Sequence, residues 1–384
     1  MGPASPFRIL YMIDEMEAVT SGGTERQLMQ MIRLLVDAGV EVRLCTLRGT
    51  HWLTDEIAGC PVEHFAFLSL LRPGSQAELL RLRAYMRDYR PHVLQTFFVE
   101  ANILGPIVGR LAGVPVIVGG RRNLNYWMGP LTSSLQRFAN RYTTRLLANS
   151  EAVKEHVVRT EHIHPAQVDV IYNGLDVERF RPDPESRAAM RQKFGFTDDQ
   201  ILIGAVSVLR PIKGCEDFID AAALVLRQQP STRFVLVGDG PIRSELELRA
   251  KALGDCFTFA GAQPDVRPFL QMFDIGVLSS ESEGFSNSIL EYLAAGLPCV
   301  VTDVGGNREA VGNAGVSIPV RDPNALAKAL VGLVSDPALR QSLASAALAR
   351  APQFSLAAAQ RNLVSYYQKL GAGTGPLGGS SNVT

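Results

Sequence analysis

Short apolar runs alternate with longer amphipathic stretches from the first residues onward, the pattern of repeated strand and helix units that build a parallel sheet. Residues 7–13 (FRILYMI) read as a strand buried on both faces. The loop 20–24 (TSGGT) follows, then a helix over 25–37 that Gly39 closes, then a strand over 41–46. The alternation recurs with strands expected at 92–96, 116–119, 146–149 and 168–171, each separated by a helical stretch.

A turn-rich segment rich in Asn, Gly, Asp and Pro follows, so the pattern predicts a first domain over 1–175 and a linker over 176–185. A second series begins with a strand at 201–207, a helix at 216–227 and a strand at 233–237. A helix at 242–251 comes next, with further strands at 256–259, 275–278 and 299–302. The second domain is therefore expected over 186–354. The last helical stretch, 355–370, is expected to return to the first domain, and the Gly/Ser-rich tail 371–384 to be disordered. The fold class is α/β, with two doubly wound, Rossmann-like domains and a ligand site expected where they face each other, at the carboxyl ends of their strands.

Composition narrows the partners. The chain has 384 residues, 46% of them hydrophobic, enough to bury the cores of two domains. The 38 Lys and Arg balance 38 Asp and Glu, so no basic surface for nucleic acid is expected. Charge is uneven, however: residues 70–160 hold 13 basic against 5 acidic side chains. That excess suits solvated helix faces, an anionic acceptor or an anionic lipid surface.

Five scattered cysteines (Cys45, Cys60, Cys215, Cys256 and Cys299) fit neither a disulfide framework nor a zinc site, and a reducing cytoplasm is expected. No apolar stretch at the N-terminus reads as a signal peptide. The most apolar region, 97–120, is broken by Glu100, Asn102, Arg110 and two prolines, too often for a spanning helix.

Three loops carry candidate chemistry. Gly22 and Gly23 lie between a strand and a helix N-terminus, where bare amides attract phosphate, although a glycine pair also serves tight packing. SVLRPIKG (207–214) projects Arg210 and Lys213 from the end of a strand. Together they suit a diphosphate, Arg210 through paired N–H donors and Lys213 as a point charge; a solvated pair is the alternative. EGFSNSILE (283–291) places Glu283 in a loop and Glu291 in the following helix. The amides of Phe285, Ser286 and Asn287 open that helix toward phosphate, Glu283 can bind sugar hydroxyls, and Glu291 can reach ribose or be an ordinary helix-surface charge.

The motifs GGTE at Gly22, NSEAV at Asn149, IYNGLDVERF at Ile171, SVLRPIKG at Ser207, VGDGP at Val237 and EGFSNSILEYLAAGLPCVVTDVGG at Glu283 occur in one order. In that order they resemble the retaining family 4 glycosyltransferases of GT-B fold, over about Arg8 to Leu370. The resemblance implies transfer of a hexose from a nucleotide-diphosphate donor, UDP before GDP, to a glycan or lipid-linked acceptor. Arg210, Lys213 and Glu283 would be catalytic: the two cations hold the departing diphosphate and Glu283 orients the sugar. Gly22, Gly23, Gly238 and the amides after Glu283 would assist, Glu291 would bind the ribose, and Asp265 and Val266 would meet the base.

With cations stabilising the leaving group, neither a metal ion nor any other cofactor is expected, and the sequence has no Asp-x-Asp to hold one. The resemblance also implies attack from the face of departure, without a protein nucleophile. One departure stands out. Many relatives carry a histidine near the transferred sugar; here Glu100, Arg121, Arg122 and Asn123 occupy the corresponding strand ends, with the arginines expected to contact an anionic acceptor or the donor phosphates. His92 begins its strand, at the wrong end for such a role.

Two other functions fit parts of the pattern. A nucleotide-sugar epimerase of this fold would need acid and base groups, which the six histidines do not supply in convincing loops. A non-catalytic sugar-nucleotide binder would not need the whole leaving-group clamp. The basic excess over 70–160 lies in the half that the resemblance assigns to the acceptor, and the resemblance implies a lipid-linked or growing glycan at the inner face of a membrane.

Overall fold

The computed structural model describes residues 7–16, 23–49, 56–57, 59–68, 72–124 and 128–371. The chain divides into two compact units, one of residues up to Gly174 together with those from Leu356, the other of Leu175–Ser355.

The first unit runs β1 (Arg8–Ile13), α1 (Gly23–Asp37), β2 (Glu41–Thr46), β3 (Glu56–Ile57), β4 (Cys60–His64), α2 (Pro73–Tyr89), β5 (Val93–Phe97) and α3 (Val99–Ala112). It continues with β6 (Val116–Arg121), α4 (Pro130–Ala139), β7 (Arg145–Ala148), α5 (Glu151–Glu161) and β8 (Val168–Val170). The strand order is β3-β4-β2-β1-β5-β6-β7-β8, parallel throughout except for the β3 and β4 pair at the edge. Parallel strands covered by helices on both faces must be apolar along their length, and β1 is buried from Ile9 to Ile13. Strand order reverses between β1 and β5, the switch point where loops from neighbouring strands part and leave a recess.

The second unit runs α6 (Pro184–Lys193), β9 (Leu202–Val206), α7 (Cys215–Leu226), β10 (Arg233–Val237), α8 (Arg243–Ala250), β11 (Phe257–Gly261), α9 (Arg267–Met272) and β12 (Ile275–Leu278). It ends with α10 (Asn287–Ala294), β13 (Cys299–Thr302), α11 (Asn307–Val311), β14 (Gly315–Ile318), α12 (Pro323–Ser335) and α13 (Pro337–Arg350). Its sheet, β11-β10-β9-β12-β13-β14, is wholly parallel and reverses between β9 and β12.

The chain then returns to the first unit as α14 (Leu356–Gly371). There the Tyr367 hydroxyl meets that of Tyr11 at 3.0 Å and also donates to Gln95, a fully buried polar contact that fixes the helix against β1 and β5. The segment 176–185, expected as a linker, is folded into the second unit. Val177–Phe180 forms a 3-10 turn, Asp183 caps α6, and Gln271 bonds Arg181 O and the Asp183 amide. The strands β4 and β14 were not anticipated: Pro61 breaks the first pattern, and the second is four residues long and opens on glycine. The tail 372–384 lies outside the described residues. No helix among the described residues is long and apolar enough to cross a membrane.

Candidate functional site at two switch points

In the second unit, four loops meet beyond the carboxyl ends of β10, β9, β12 and β13. The loop after β9 is tied to its neighbour after β10 by Ser207 N to Val237 O and Leu209 N to Asp239 O, both 2.9 Å. On its other side Glu281 N donates to Ile212 O at 2.9 Å and Ser279 Oγ to Lys213 O at 3.2 Å. These bonds close the switch point from both sides. Gly238 is required there: at φ 138° a Cβ would stand 1.8 Å from Ser207 O.

Across this junction Lys213 Nζ donates to Glu283 Oε1 at 2.6 Å, so the two loops on either side of the strand reversal are joined by opposite charges. Both side chains are largely covered. Arg210, one turn before Lys213, is exposed and makes no side-chain hydrogen bond or ion pair among the described residues. A guanidinium and an ammonium thus stand on one short loop, with the ammonium neutralised by a carboxylate from the facing loop. A dianionic group arriving at Arg210 would find Lys213 able to exchange its carboxylate for phosphate oxygens.

The Glu283 backbone is held as firmly as its side chain. Gly306 N donates to Gly284 O at 2.9 Å, and at Gly305 (φ 49°) a Cβ would lie 1.8 Å from Glu283 O. Phe285 is buried against Phe354, ring centroids 5.5 Å apart, which anchors the loop as it enters α10. Ser286 is buried at the N-cap of α10 and makes no side-chain cap bond.

Tyr292 pins this helix at the reversal. Its hydroxyl accepts from Val206 N at 3.1 Å and donates to Val277 O at 3.0 Å, bridging β9 and β12. Glu291 is buried, which removes the reading of it as a helix-surface charge. Asp265 is bound to Arg267 by two oxygens, and this contact holds its carboxyl below the ordinary range. Its side chain therefore shapes the loop before α9, in which Val266 is half-buried.

The first unit has a corresponding junction. Asp14, at the end of β1, accepts from the amides of Glu100 (3.0 Å) and Ala101 (2.6 Å) and so caps α3. Burial pushes its carboxyl up to about 6 despite those two bonds. Glu100 itself is paired with Arg48, which also binds Glu15 at 3.0 Å. Between them Phe98 adopts φ 66° and ψ −178°, a conformation nearly restricted to glycine, at a cost of about 1–3 kcal/mol. A recess of about 370 Å³ opens beside it, lined by Thr24, Asn102, Arg122, Asn123 and Gln136 among others.

The two arginines of the RRN sequence part company here. Arg121 is not free for an acceptor: it is buried, with Nε and Nη2 each 2.8 Å from a Glu161 oxygen and Nη2 2.9 Å from Asn140 Oδ1. Burial would raise the Glu161 carboxyl, but Arg121 and Asn140 hold it below its ordinary value. A charged arginine inside a doubly wound unit needs such a partner, and this one consumes its fork.

Arg122 is half-buried, donates to Asn173 Oδ1, and lines both the recess and a second one of about 360 Å³ beneath α1. Its Nε has no partner among the described residues, and burial lowers the guanidinium to about 10, an effect that Tyr11 and Glu25 oppose. Gly23 opens α1 and is exposed; Gly22 lies outside the described residues. His92 accepts from Arg8 N at 3.0 Å and stacks on Phe7, a structural role at the amino end of β5. Among the described residues no three His, Cys, Asp or Glu side chains gather as a metal site would require.

Asp14, Gln136 and Tyr292 escaped the sequence reading. An aspartate that ends an apolar strand just before a loop was the available signal for Asp14, whereas nothing in the local sequence marks the other two.

Comparison with known proteins places both units. Residues 21–179 match the Glycosyltransferase Family 4 domain, and residues 200–336 match the Glycosyl transferases group 1 domain. The chain is 28% identical, over 83% of its length and 86% of the other, to the Escherichia coli UDP-Gal:alpha-D-GlcNAc-diphosphoundecaprenol alpha-1,3-galactosyltransferase. It is 25% identical to the D-inositol 3-phosphate glycosyltransferase of Thermobispora bispora, over 92% and 91% of the two chains.

Among solved structures, Anabaena HepE in complex with UDP superposes with a TM-score of 0.83 at 22% identity, covering 94% of this chain and all of that one. The lipopolysaccharide glycosyltransferase WaaG gives 0.72 at 19%, covering 93% and 99%. Two doubly wound units, each with its own matching domain and with relatives along nearly the whole length, identify the chain as a member of the family 4 and group 1 glycosyltransferases, with the GT-B fold.

Proposed function

We propose that the protein transfers a hexose from a UDP-sugar to a glycan or lipid-linked acceptor, with retention of configuration and without a metal ion. The observation that carries this is the pairing of Lys213 with Glu283 across the β9 and β12 reversal, with Arg210 exposed on the same loop. The UDP bound by the HepE neighbour and the UDP-galactose named for the Escherichia coli relative favour uridine in the donor, and that relative's diphosphoundecaprenol favours a lipid-linked acceptor.

In this reading the donor diphosphate lies against Arg210 and Lys213, with the first-turn amides of α10 beside it. Departure of the nucleotide concentrates negative charge on the leaving oxygens as the sugar takes on oxocarbenium character. Cations fixed in place beforehand stabilise that charge without reorganising, which makes a divalent ion unnecessary. Lys213 exchanges Glu283 for phosphate, and the released carboxylate turns to the hydroxyls of the sugar. Glu291 and Val266 serve the ribose and base. The acceptor hydroxyl attacks from the face the nucleotide leaves, so no protein side chain forms a bond to the sugar. Arg122 and Asn123, at the recess of the first unit, receive the acceptor.

The test is donor turnover in excess chelator, followed by proton NMR. UDP release with an axial product signal from an axial donor supports the proposal. UDP-sugar binding with neither hydrolysis nor transfer to any acceptor would reduce the protein to a binder, and an inverted product would remove the same-face mechanism.

A further inference from the structure

Phe98 holds a backbone conformation that only glycine adopts freely, φ 66° and ψ −178°, directly after β5. Its neighbours leave it no other. The Asp14 carboxylate takes the amides of Glu100 and Ala101, Phe98 O accepts from Asn102 N at 3.1 Å, and Glu100 is paired with Arg48. None of these bonds involves the Phe98 side chain, so a glycine would meet them all without strain. The aromatic ring is therefore kept for its own contacts. It is half-buried, packs in part on the apolar core of the first unit, and also lines the recess of about 370 Å³.

The walls of that recess suit one kind of ligand. Phe98, Val99 and Met128 make part of it apolar, and Thr24, Arg122 and Asn123 make part of it polar. Two further polar side chains are spent inside the unit. Asn102 Oδ1 accepts from Thr96 Oγ1 at 2.7 Å while its Nδ2 donates to Gly120 O at 2.9 Å, and Gln136 Nε2 is shared between Asn102 O and Asn140 Oδ1. The Thr24 hydroxyl and Arg122 Nε, by contrast, have no hydrogen-bond partner among the described residues. A pyranose presents C–H groups on one face and hydroxyls around its edge, so it can meet an aromatic ring with the first and a threonine hydroxyl with the second. A half-buried guanidinium with a spare N–H is satisfied best by an anionic oxygen.

We infer that Phe98 is the platform of the acceptor site: the acceptor's pyranose lies with a C–H face on the Phe98 ring, an edge hydroxyl at Thr24, and a phosphate on that sugar at Arg122. This rests on the reading of the first-unit recess as the acceptor site, and adds to it the residue that selects a sugar phosphate. Phe98 positions the ring and takes no part in bond making.

Saturation-transfer NMR on the full chain in excess UDP tests it. The probes are the 1-phosphates of α-D-glucose, α-D-galactose and N-acetyl-α-D-glucosamine, compared with their methyl α-glycosides and with inorganic phosphate. Wild type is expected to saturate the C–H protons of one ring face of a sugar phosphate and to bind it about tenfold or more tightly than its methyl glycoside, a difference that Arg122→Ala removes. Phe98→Leu keeps an apolar side chain on the core but no flat ring; it should weaken binding about five- to tenfold with the melting temperature within about 2 °C of wild type. Phe98→Tyr should bind as wild type does. Phe98→Gly, which relieves the backbone, should lose the sugar signal while UDP still binds. A purely structural ring predicts the reverse: Phe98→Leu and Phe98→Gly would melt lower and bind every probe like wild type. That result, no saturation of any sugar by wild type, or equal saturation of both ring faces, would overturn the inference. So would displacement of UDP by the sugar phosphates, which would put them at the donor site. A Phe98-dependent signal in a protein that neither binds nor hydrolyses a UDP-sugar would sink the donor reading alone, and UDP-sugar hydrolysis without that signal would sink this inference alone.

Discussion

Replacing Arg121 by alanine separates a structural arginine from its neighbour Arg122. The change leaves Glu161 as a buried carboxylate with only Asn140 to satisfy it among the described residues, since both Glu161 oxygens now accept from the guanidinium at 2.8 Å. Breaking one half of a buried pair costs about 3–5 kcal/mol, because the remaining charge keeps its desolvation penalty. In a unit of roughly 200 residues each kcal/mol moves the midpoint by about 2–4 °C, so a fall of about 6–20 °C is expected.

The pH dependence follows from Glu161. Its folded value lies below the ordinary 4.5, so the pair's stabilisation is fully present above that pH and is lost as pH falls through the depressed value. The gap between wild type and Arg121→Ala should therefore narrow in acid. Thermal melts at pH 7.5 and near pH 4 read both effects, with UDP binding as a control that should not change. Removing both charges, as Arg121→Met with Glu161→Leu, should recover much of the loss, because no unpaired charge remains. A melting temperature within about 2 °C of wild type, combined with loss of transfer alone, would refute the structural assignment.

Arg122→Ala should do the reverse, lowering acceptor-dependent turnover more than stability, which steady-state kinetics beside a melt would show. Equal turnover in the folded variant would remove it from the acceptor site. Gly305→Ala forces a Cβ toward Glu283 O and should lower kcat for donor hydrolysis about tenfold or more with secondary structure retained by circular dichroism. Asp14 has its folded value raised to about 6 from 3.8, so its contribution is full below 3.8 and lost as pH rises through 6. Asp14→Asn should flatten the stability profile between those limits, which melts across the range will register.

Much of this molecule was legible in its residues because local chemistry and global topology agree there. SVLRPIKG and EGFSNS each follow an apolar run that forms a buried parallel strand, and their glycines and charges mark the loops that meet at the strand reversal. The sequence could not distinguish Arg121 from Arg122. Adjacent residues at a strand end point to opposite faces, and which face holds a carboxylate depends on Glu161, 40 residues away. Glu291 was equally undecided, since burial of α10 depends on Tyr292 reaching Val206 and Val277. The inward side of α4 was equally hidden, because its apolar period is that of any amphipathic helix; only the buried partners of Gln136 and Asn140 reveal which side faces in.

The central claim is that the donor diphosphate is held by the loops on either side of the β9 and β12 reversal. Calorimetric titration of UDP in excess chelator, for wild type, Arg210→Ala and Lys213→Ala, tests it most directly. The account predicts saturable binding by wild type, weakened about tenfold or more by each substitution, as loss of a charged hydrogen bond to phosphate requires. UDP affinity equal in all three proteins, or binding by wild type only when a divalent metal is restored, would contradict it.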